Sequence, residues 1–278
     1  MNGGNIHKAY GGYMWSRPWW MPAIAFFVRN WHLYKRYIGW IIAFWTYSII
    51  NSLTVGLIGK QFMDEALVVY LVIGSIIWAF LGSVFEEMSE VVSWEQWEGT
   101  IEHTFMAPVH RLLHLMGVGI MAVTFSFTRA TVIFIFATLF FHIDLSGSNM
   151  FGALLVLAAS CLPFLGIGMI AATFPLLSRE KGQQATYILQ SLIMLVSGVF
   201  YSVDILPKWL QPLSYISPGT YSLRSIRAAI LENAPMSALM GDIGILLISG
   251  LVLIPAGYLI FRAGEHYAKR TGKLKRSG

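Results

Sequence analysis

Charge is what this chain has least of. Asp, Glu, Lys and Arg make up 12% of its 278 residues, whereas a soluble domain carries about 25%. The deficit falls in long uncharged runs, and mean hydropathy is +0.63. That excludes a soluble globular protein and leaves an integral membrane protein. Cysteine is nearly absent too. Cys161 is the single one, so an intrachain disulfide and a thiol metal site are both ruled out, and it reads as a small buried hydrophobe. No Glu precedes a His by three residues, which removes the Glu-x-x-His motif of di-metal bundles. No G-x-S-x-G elbow marks a hydrolase. His110 and His114 share a helical face but lack histidine partners on facing spans, so they read as headgroup-level caps. No internal repeat is visible, which counts against transporters built on inverted halves.

The apolar runs predict an all-α bundle of six transmembrane helices, each needing about 20 residues. They lie at 37–59, 66–85, 113–141, within 145–178, 182–203 and 243–261. The first two form a hairpin across a short polar turn. Arg129 interrupts the third run, where a central arginine costs roughly 2.5–3.5 kcal/mol on insertion scales. It must face protein or a water-filled cavity. With no carboxylate in the predicted spans to pair with it, carbonyls or hydroxyls are the expected partners. An anchoring role and a place in a transport path stand equal.

Net charge is +5, with the cations gathered at the two ends. The N-terminal segment holds Lys8, Arg17, Arg29, Lys35 and Arg36, and residues 262–276 hold six more. The opposite side has Lys60, Lys208, Arg224 and Arg227. This asymmetry places both termini in the cytoplasm and implies anionic membrane lipids, not nucleic acid, as the partner of the basic ends. The apolar part of the N-terminal segment, 19–28, is too short for a span and does not read as a signal peptide. Residues 18–36 mix tryptophan and phenylalanine with basic residues, the composition of an interfacial amphipathic helix. Residues 204–234 hold three prolines among aromatics, too broken for a span and too apolar for a free loop. Short re-entrant outer helices packed on protein would satisfy them. One domain at 37–262 follows, flanked by a cytoplasmic N-terminus at 1–36 and a basic tail at 263–278.

Two passages carry more than composition. The first, WEQWEGTIEHTFMAPVHR at 94–111, is a polar segment after the second span. Its Glu95, Glu98 and Glu102 fall three and four residues apart, so on a continuous helix they share one face. A solvated acidic face is the plain reading. Trp94 and Trp97 beside the carboxylates favour a surface for another protein to push on. The second passage, 197–227, reads SGVFYSVDILPKWLQPLSYISPGTYSLRSIR. Together, and in this order, the passages resemble the membrane subunit of type-2 ABC exporters, similar to drug-export permeases. In the first, the matching residues are Glu98, Gly99, Thr100, Glu102, Pro108 and Arg111. In the second they are Ser197, Gly198, Phe200, Leu206, Pro207, Trp209, Leu210, Gln211, Pro218, Thr220 and Tyr221. Ser217 stands where the family often has Asn. The resemblance covers about residues 30–262.

The resemblance implies a permease that works as a dimer with nucleotide-binding ATPase subunits. The chain lacks a Walker A loop: Gly59-Lys60 and Gly272-Lys273 have neither the first glycine nor the Ser or Thr. It is therefore expected to be no enzyme and to bind no cofactor, with ATP and Mg held by the partner subunit. Glu95, Glu98, Gly99, Thr100, Glu102, Pro108 and Arg111 would form a cytoplasmic coupling helix, with minor contacts from Arg179. Ser197, Gly198, Phe200, Pro207, Trp209, Pro218 and Tyr221 would form an outer gate. The expected cargo is a hydrophobic small molecule such as a drug, and the expected location the bacterial plasma membrane. A lipid-linked glycan or lipid is the other transport reading, and a non-transporting scaffold on the same fold the reading outside transport. The orientation is testable in a Cys161→Ala background. A membrane-impermeant thiol reagent added to intact cells should label Lys208→Cys and spare Lys275→Cys, and the reverse pattern would overturn it.

Overall fold

A computed structural model describes residues 18, 20–107, 109–143, 145 and 147–272. Among these the chain is helical, without strands. In chain order the helices are α1 (Met21–Arg36), α2 (Ile38–Gln61), α3 (Glu65–Glu98), α4 (Ile101–Met106), α5 (Arg111–Phe141), α6 (Met150–Ala171), α7 (Thr173–Leu177), α8 (Gly182–Ser197), α9 (Gln211–Ile216), α10 (Pro218–Leu231) and α11 (Met236–Arg270). The basic tail from 273, and the first 17 residues with Lys8 and Arg17, lie outside the described residues.

Among the described residues, five helical stretches are long and apolar enough to cross a membrane: α2, α3, α5, α6 running on through α7, and α11. The fifth predicted run does not reach that length. α8 has 16 residues, or ~24 Å at 1.5 Å per residue, against a hydrocarbon core of about 30 Å. Its early end has a local cause. Gly198 takes φ 67, a left-handed conformation that stops a helix and suits a residue without Cβ. The second run errs the other way: α3 continues past residue 85 for 34 residues in all, ~51 Å, and so carries its last turns out of the apolar belt.

α3 is the axis of the bundle. Two thirds of its apolar window is buried (67%), against 22% for α2 and 17% for α11. It packs on α2, α5, α6, α8 and α10. Phe80, Leu81, Val84 and Phe85 on α3 meet Phe164, Val156 and Ala171 on the α6 side and Leu223 and Ile226 of α10 in one core. α11 lies along α6, where two backbones touch: a Cβ on Gly257 would come within 2.4 Å of the Gly166 carbonyl oxygen. Such small-residue contacts let helices approach closely where lipid supplies no hydrophobic drive between them. α1 packs across α5 and buries only Ala23 and Asn30, as an amphipathic interfacial helix should.

Arg129 is half-buried on α5 and faces protein. Its Nε and a terminal nitrogen donate to the Ser48 hydroxyl of α2 at 3.0 and 2.6 Å. Ser48 in turn donates to the Phe44 carbonyl at 2.8 Å. A hydroxyl relay thus meets a charge that has no carboxylate within ion-pair distance among the described residues.

Candidate functional site: an elbow and an outer junction

α3 ends where glycine allows it to. Gly99 adopts φ 73, and its N–H and that of Thr100 return to the Gln96 and Glu95 carbonyls at 3.2 and 2.9 Å. The chain then turns into the short α4. This break corrects the sequence expectation of one acidic face. Spacings of three and four put side chains together only on an unbroken helix, and here Glu95 and Glu98 belong to α3 while Glu102 belongs to α4. Glu95 is buried, 4% exposed. Glu98 is exposed and Glu102 half-buried.

Glu95 is held from two sides. Arg29 of α1 donates directly to its carboxylate, and the His114 Nε2 of α5 lies 3.8 Å away. Arg29 also donates to the Thr104 hydroxyl of α4 at 3.3 Å. Phe26 packs edge-on against the fully buried His114 ring at 4.5 Å. Four helices, α1, α3, α4 and α5, therefore meet at one carboxylate.

A second knot lies beside it. The Arg111 Nε donates to both Glu265 oxygens of α11, at 2.9 and 3.0 Å. Its terminal nitrogens donate to the Thr104 carbonyl at 3.0 Å and to the Phe105 carbonyl. One guanidinium thus satisfies orphan carbonyls at the end of α4 and a buried carboxylate on α11. Lys269 adds a bond to Glu265 at 2.6 Å. On α1, Tyr34 donates to Glu87 of α3. Burial, and then the Glu87 charge, push the Tyr34 hydroxyl well above its usual range, so it remains a donor. Arg179 donates to the Trp97 carbonyl at 3.1 Å and lies 4.8 Å above its ring. Pro108 lies outside the described residues.

What the knots leave outward is a compact surface: Glu98 and His103 exposed, Met106 70% exposed, Glu102 partly so. Trp94 and Trp97 do not share it. They line a cleft between α3 and α8 with Glu90, Ser93, Gln183 and Tyr187.

At the far end of the bundle, seven predicted residues separate into two groups. Ser197 and Ser217 share a hydrogen bond at 2.8 Å, both buried, and Pro218 starts α10 beside them. Gly198 stops α8, and Phe200 is half-buried just after it. Pro207 and Trp209 sit instead on the surface, Trp209 75% exposed. Tyr221 is half-buried and donates to the Tyr215 carbonyl at 2.8 Å. Arg227 holds this junction. It donates to the Gly198 carbonyl at 3.0 Å, to the Val199 carbonyl, and to the Tyr70 hydroxyl of α3 at 2.8 Å. A buried cation thereby meets the C-terminal carbonyls of α8, where the helix dipole favours it.

The sequence that folds into this bundle matches a known family. The model for the ABC-2 type transporter covers residues 23–231. The chain belongs to that family. No curated protein matches it. As an ABC-2 membrane domain the chain is a multi-pass transmembrane component of an ABC-type transporter. The match begins inside α1, runs through α10 and stops before α11, yet Glu265 of α11 completes the elbow.

Tyr34 and Glu265 escaped the sequence reading, Arg29 and Arg227 were read only as members of the two groups of cations, and His114, read with His110 as a headgroup-level cap, is instead fully buried beside Glu95 while His110 does cap α5. Arg29 and Glu95 stand 66 positions apart, and Arg111 and Glu265 154. Local spacing carries no signal of such pairs. Arg227 did lie inside the second ABC-2 passage, but as one more outer cation. Replacing it should expose its role. Arg227→Leu leaves two carbonyls and a hydroxyl without partners, about 1–3 kcal/mol for each group left buried. The purified variant should lose its monodisperse gel-filtration peak at a markedly lower temperature than wild type, with Arg227→Lys falling between. Equal thermal stability of all three would remove Arg227 from the junction.

Proposed function

We propose that this ABC-2 chain is the permease of an ATP-driven exporter in the bacterial plasma membrane, energised by a separate nucleotide-binding ATPase subunit. The reading includes six crossings, with α8 as a short fifth, both termini cytoplasmic, and two permease copies enclosing the path. ATP and Mg belong to the partner, and this chain has no catalytic role. The cargo is a hydrophobic small molecule such as a drug.

The observation that carries the proposal is the build of the elbow. Glu98, Glu102, His103 and Met106 point outward from a segment anchored behind by Arg29–Glu95 and Arg111–Glu265. Surface acids that merely solvate need no such backing. A pushed surface does, because force applied to a loose loop is absorbed by the loop. An ATPase docked there would move α1, α3, α5 and α11 through the same two knots. At the other end, the Arg227 junction ties α3 to the end of α8 and to α10, so displacement of α3 reaches the proposed outer gate.

Glu98→Ala tests this directly. Glu98 is exposed and in no ion pair among the described residues, so the variant should insert and dimerise normally. Co-purified with its ATPase, it should show substrate-stimulated ATP turnover reduced several-fold, about the loss expected for one charge-assisted contact of 1–2 kcal/mol. Wild-type stimulation would return the acids to a solvated face. Wild-type coupling with no stimulation by any small hydrophobe, but with stimulation by a lipid-linked glycan, would move the cargo to that class.

A further inference from the structure

We propose that the cleft between α3 and α8 is a binding site for an amphiphilic organic cation. Its volume is about 330 Å³, and its walls are the rings of Trp94, Trp97 and Tyr187, the Glu90 carboxylate, Ser93 and Gln183. The volume falls in the range of small-molecule pockets, about 300–1,000 Å³.

Charge selects the ligand. Glu86, Glu87 and Glu90 lie within two turns of α3, and among the described residues none has a lysine or arginine within ion-pair distance. Arg129 is the cation whose field reaches all three, and its guanidinium is bonded to Ser48. Glu87 takes the Tyr34 hydroxyl, and Glu86 interacts with the Gln190 amide. Glu90 accepts one hydrogen bond, from the Trp94 indole at 3.1 Å, and it is the acid on the cleft wall. An anion is repelled there. A neutral hydrophobe leaves the carboxylate without a counter-charge. A bare metal ion finds too few ligands: no group of three His, Cys, Asp or Glu able to hold one exists among the described residues.

The aromatic walls complete the argument. A cation over an indole or phenol face is attracted by the ring quadrupole, more so where water is partly excluded. This wall already holds one cation, since Arg179 sits 4.8 Å over Trp97. Tyr37 stacks against Trp94 at 5.7 Å and fixes that indole. The Gln183 amide is shielded from solvent and makes no well-formed hydrogen bond, with only a weak approach from the Tyr187 hydroxyl. A bulky apolar cation satisfies the acid and the rings together. That such cations are the exported class rests on the exporter reading; that they bind does not.

The test uses the full chain in lipid nanodiscs, with radiolabelled tetraphenylphosphonium as probe and triphenylphosphine oxide as its neutral counterpart. Wild type should bind the cation well above the oxide. Glu90→Gln keeps the acceptor for the Trp94 indole, so it should fold, and it should bind the cation at least about tenfold more weakly while leaving oxide binding unchanged. Tyr187→Leu, at an exposed position, should weaken the cation several-fold and carries the test if Glu90→Gln fails to fold. Equal binding of cation and oxide by wild type, or wild-type cation affinity in the folded variants, would overturn the site. ATP-driven uptake into inside-out vesicles with the ATPase separates the two claims. Binding that depends on Glu90 without any ATP-driven uptake would uphold the site and contradict export.

Discussion

Two carboxylates, Glu95 and Glu265, are 4% and 6% exposed at the elbow end of the bundle, and neither is tolerable there alone. Removing one partner of a buried ion pair typically costs about 3–5 kcal/mol, because the other charge is left in low dielectric. Arg29 and Arg111 are therefore obligatory positions, and their side chains fix where α1, α4, α5 and α11 lie. The short α4 could not hold itself. A six-residue helix is far below the length that is stable in isolation. Its placement comes from the guanidinium of Arg111 on its last carbonyls and from Arg29 on Thr104. The elbow is thus a rigid body assembled by two arginines out of segments that are weak by themselves.

The outer junction repeats the device with the opposite chemistry. Arg227 has no carboxylate partner among the described residues and instead collects the Gly198 and Val199 carbonyls just past the glycine-terminated end of α8. In both places arginine serves because its planar fork holds five donors in a fixed geometry that can span separated acceptors, where a lysine offers a compact point charge. α3 is the element common to both, carrying Glu95 at one end and Tyr70 at the other. A bundle whose central helix is pinned at both ends moves as a lever, and that is the physical basis of the proposed coupling from ATPase to outer gate.

Much of the fold was legible because its signals are local. Uncharged runs gave α2 and α5 within a few residues, and the centre of α11, which extends beyond the predicted 243–261 at both ends; the tryptophan-rich basic segment gave α1 as an amphipathic helix. Pro218 and the prolines around it announced the broken segment holding α9 and α10. The errors also have local causes. Gly198 ended α8 early, so among the described residues five helices reach spanning length and α8 falls short of it. Gly99 broke the helix on which Glu95, Glu98 and Glu102 were expected to align, and sent Glu95 inward. Both glycines were visible in the sequence, within the quoted passages, and their left-handed geometry is the part that a residue name alone does not reveal. The ion pairs were illegible for a different reason: their partners are joined by topology, not by spacing. Trp94 and Trp97 looked like companions of the acids and instead wall a cleft toward α8, because Glu95 and Glu98 each follow one of them directly and a single residue along a helix turns a side chain by about 100°.

The central claim is that α4 and α11 form one rigid unit through Arg111 and Glu265. Spin labels at exposed positions 103 and 266, in the chain assembled with its ATPase, measure it by pulsed dipolar spectroscopy. The account predicts one distance distribution, unchanged between nucleotide-free and ATP-bound states, which broadens in Glu265→Gln. A shift of the 103–266 distance on ATP binding in the otherwise unaltered chain would show that α4 moves independently of the bundle, and would contradict the rigid elbow.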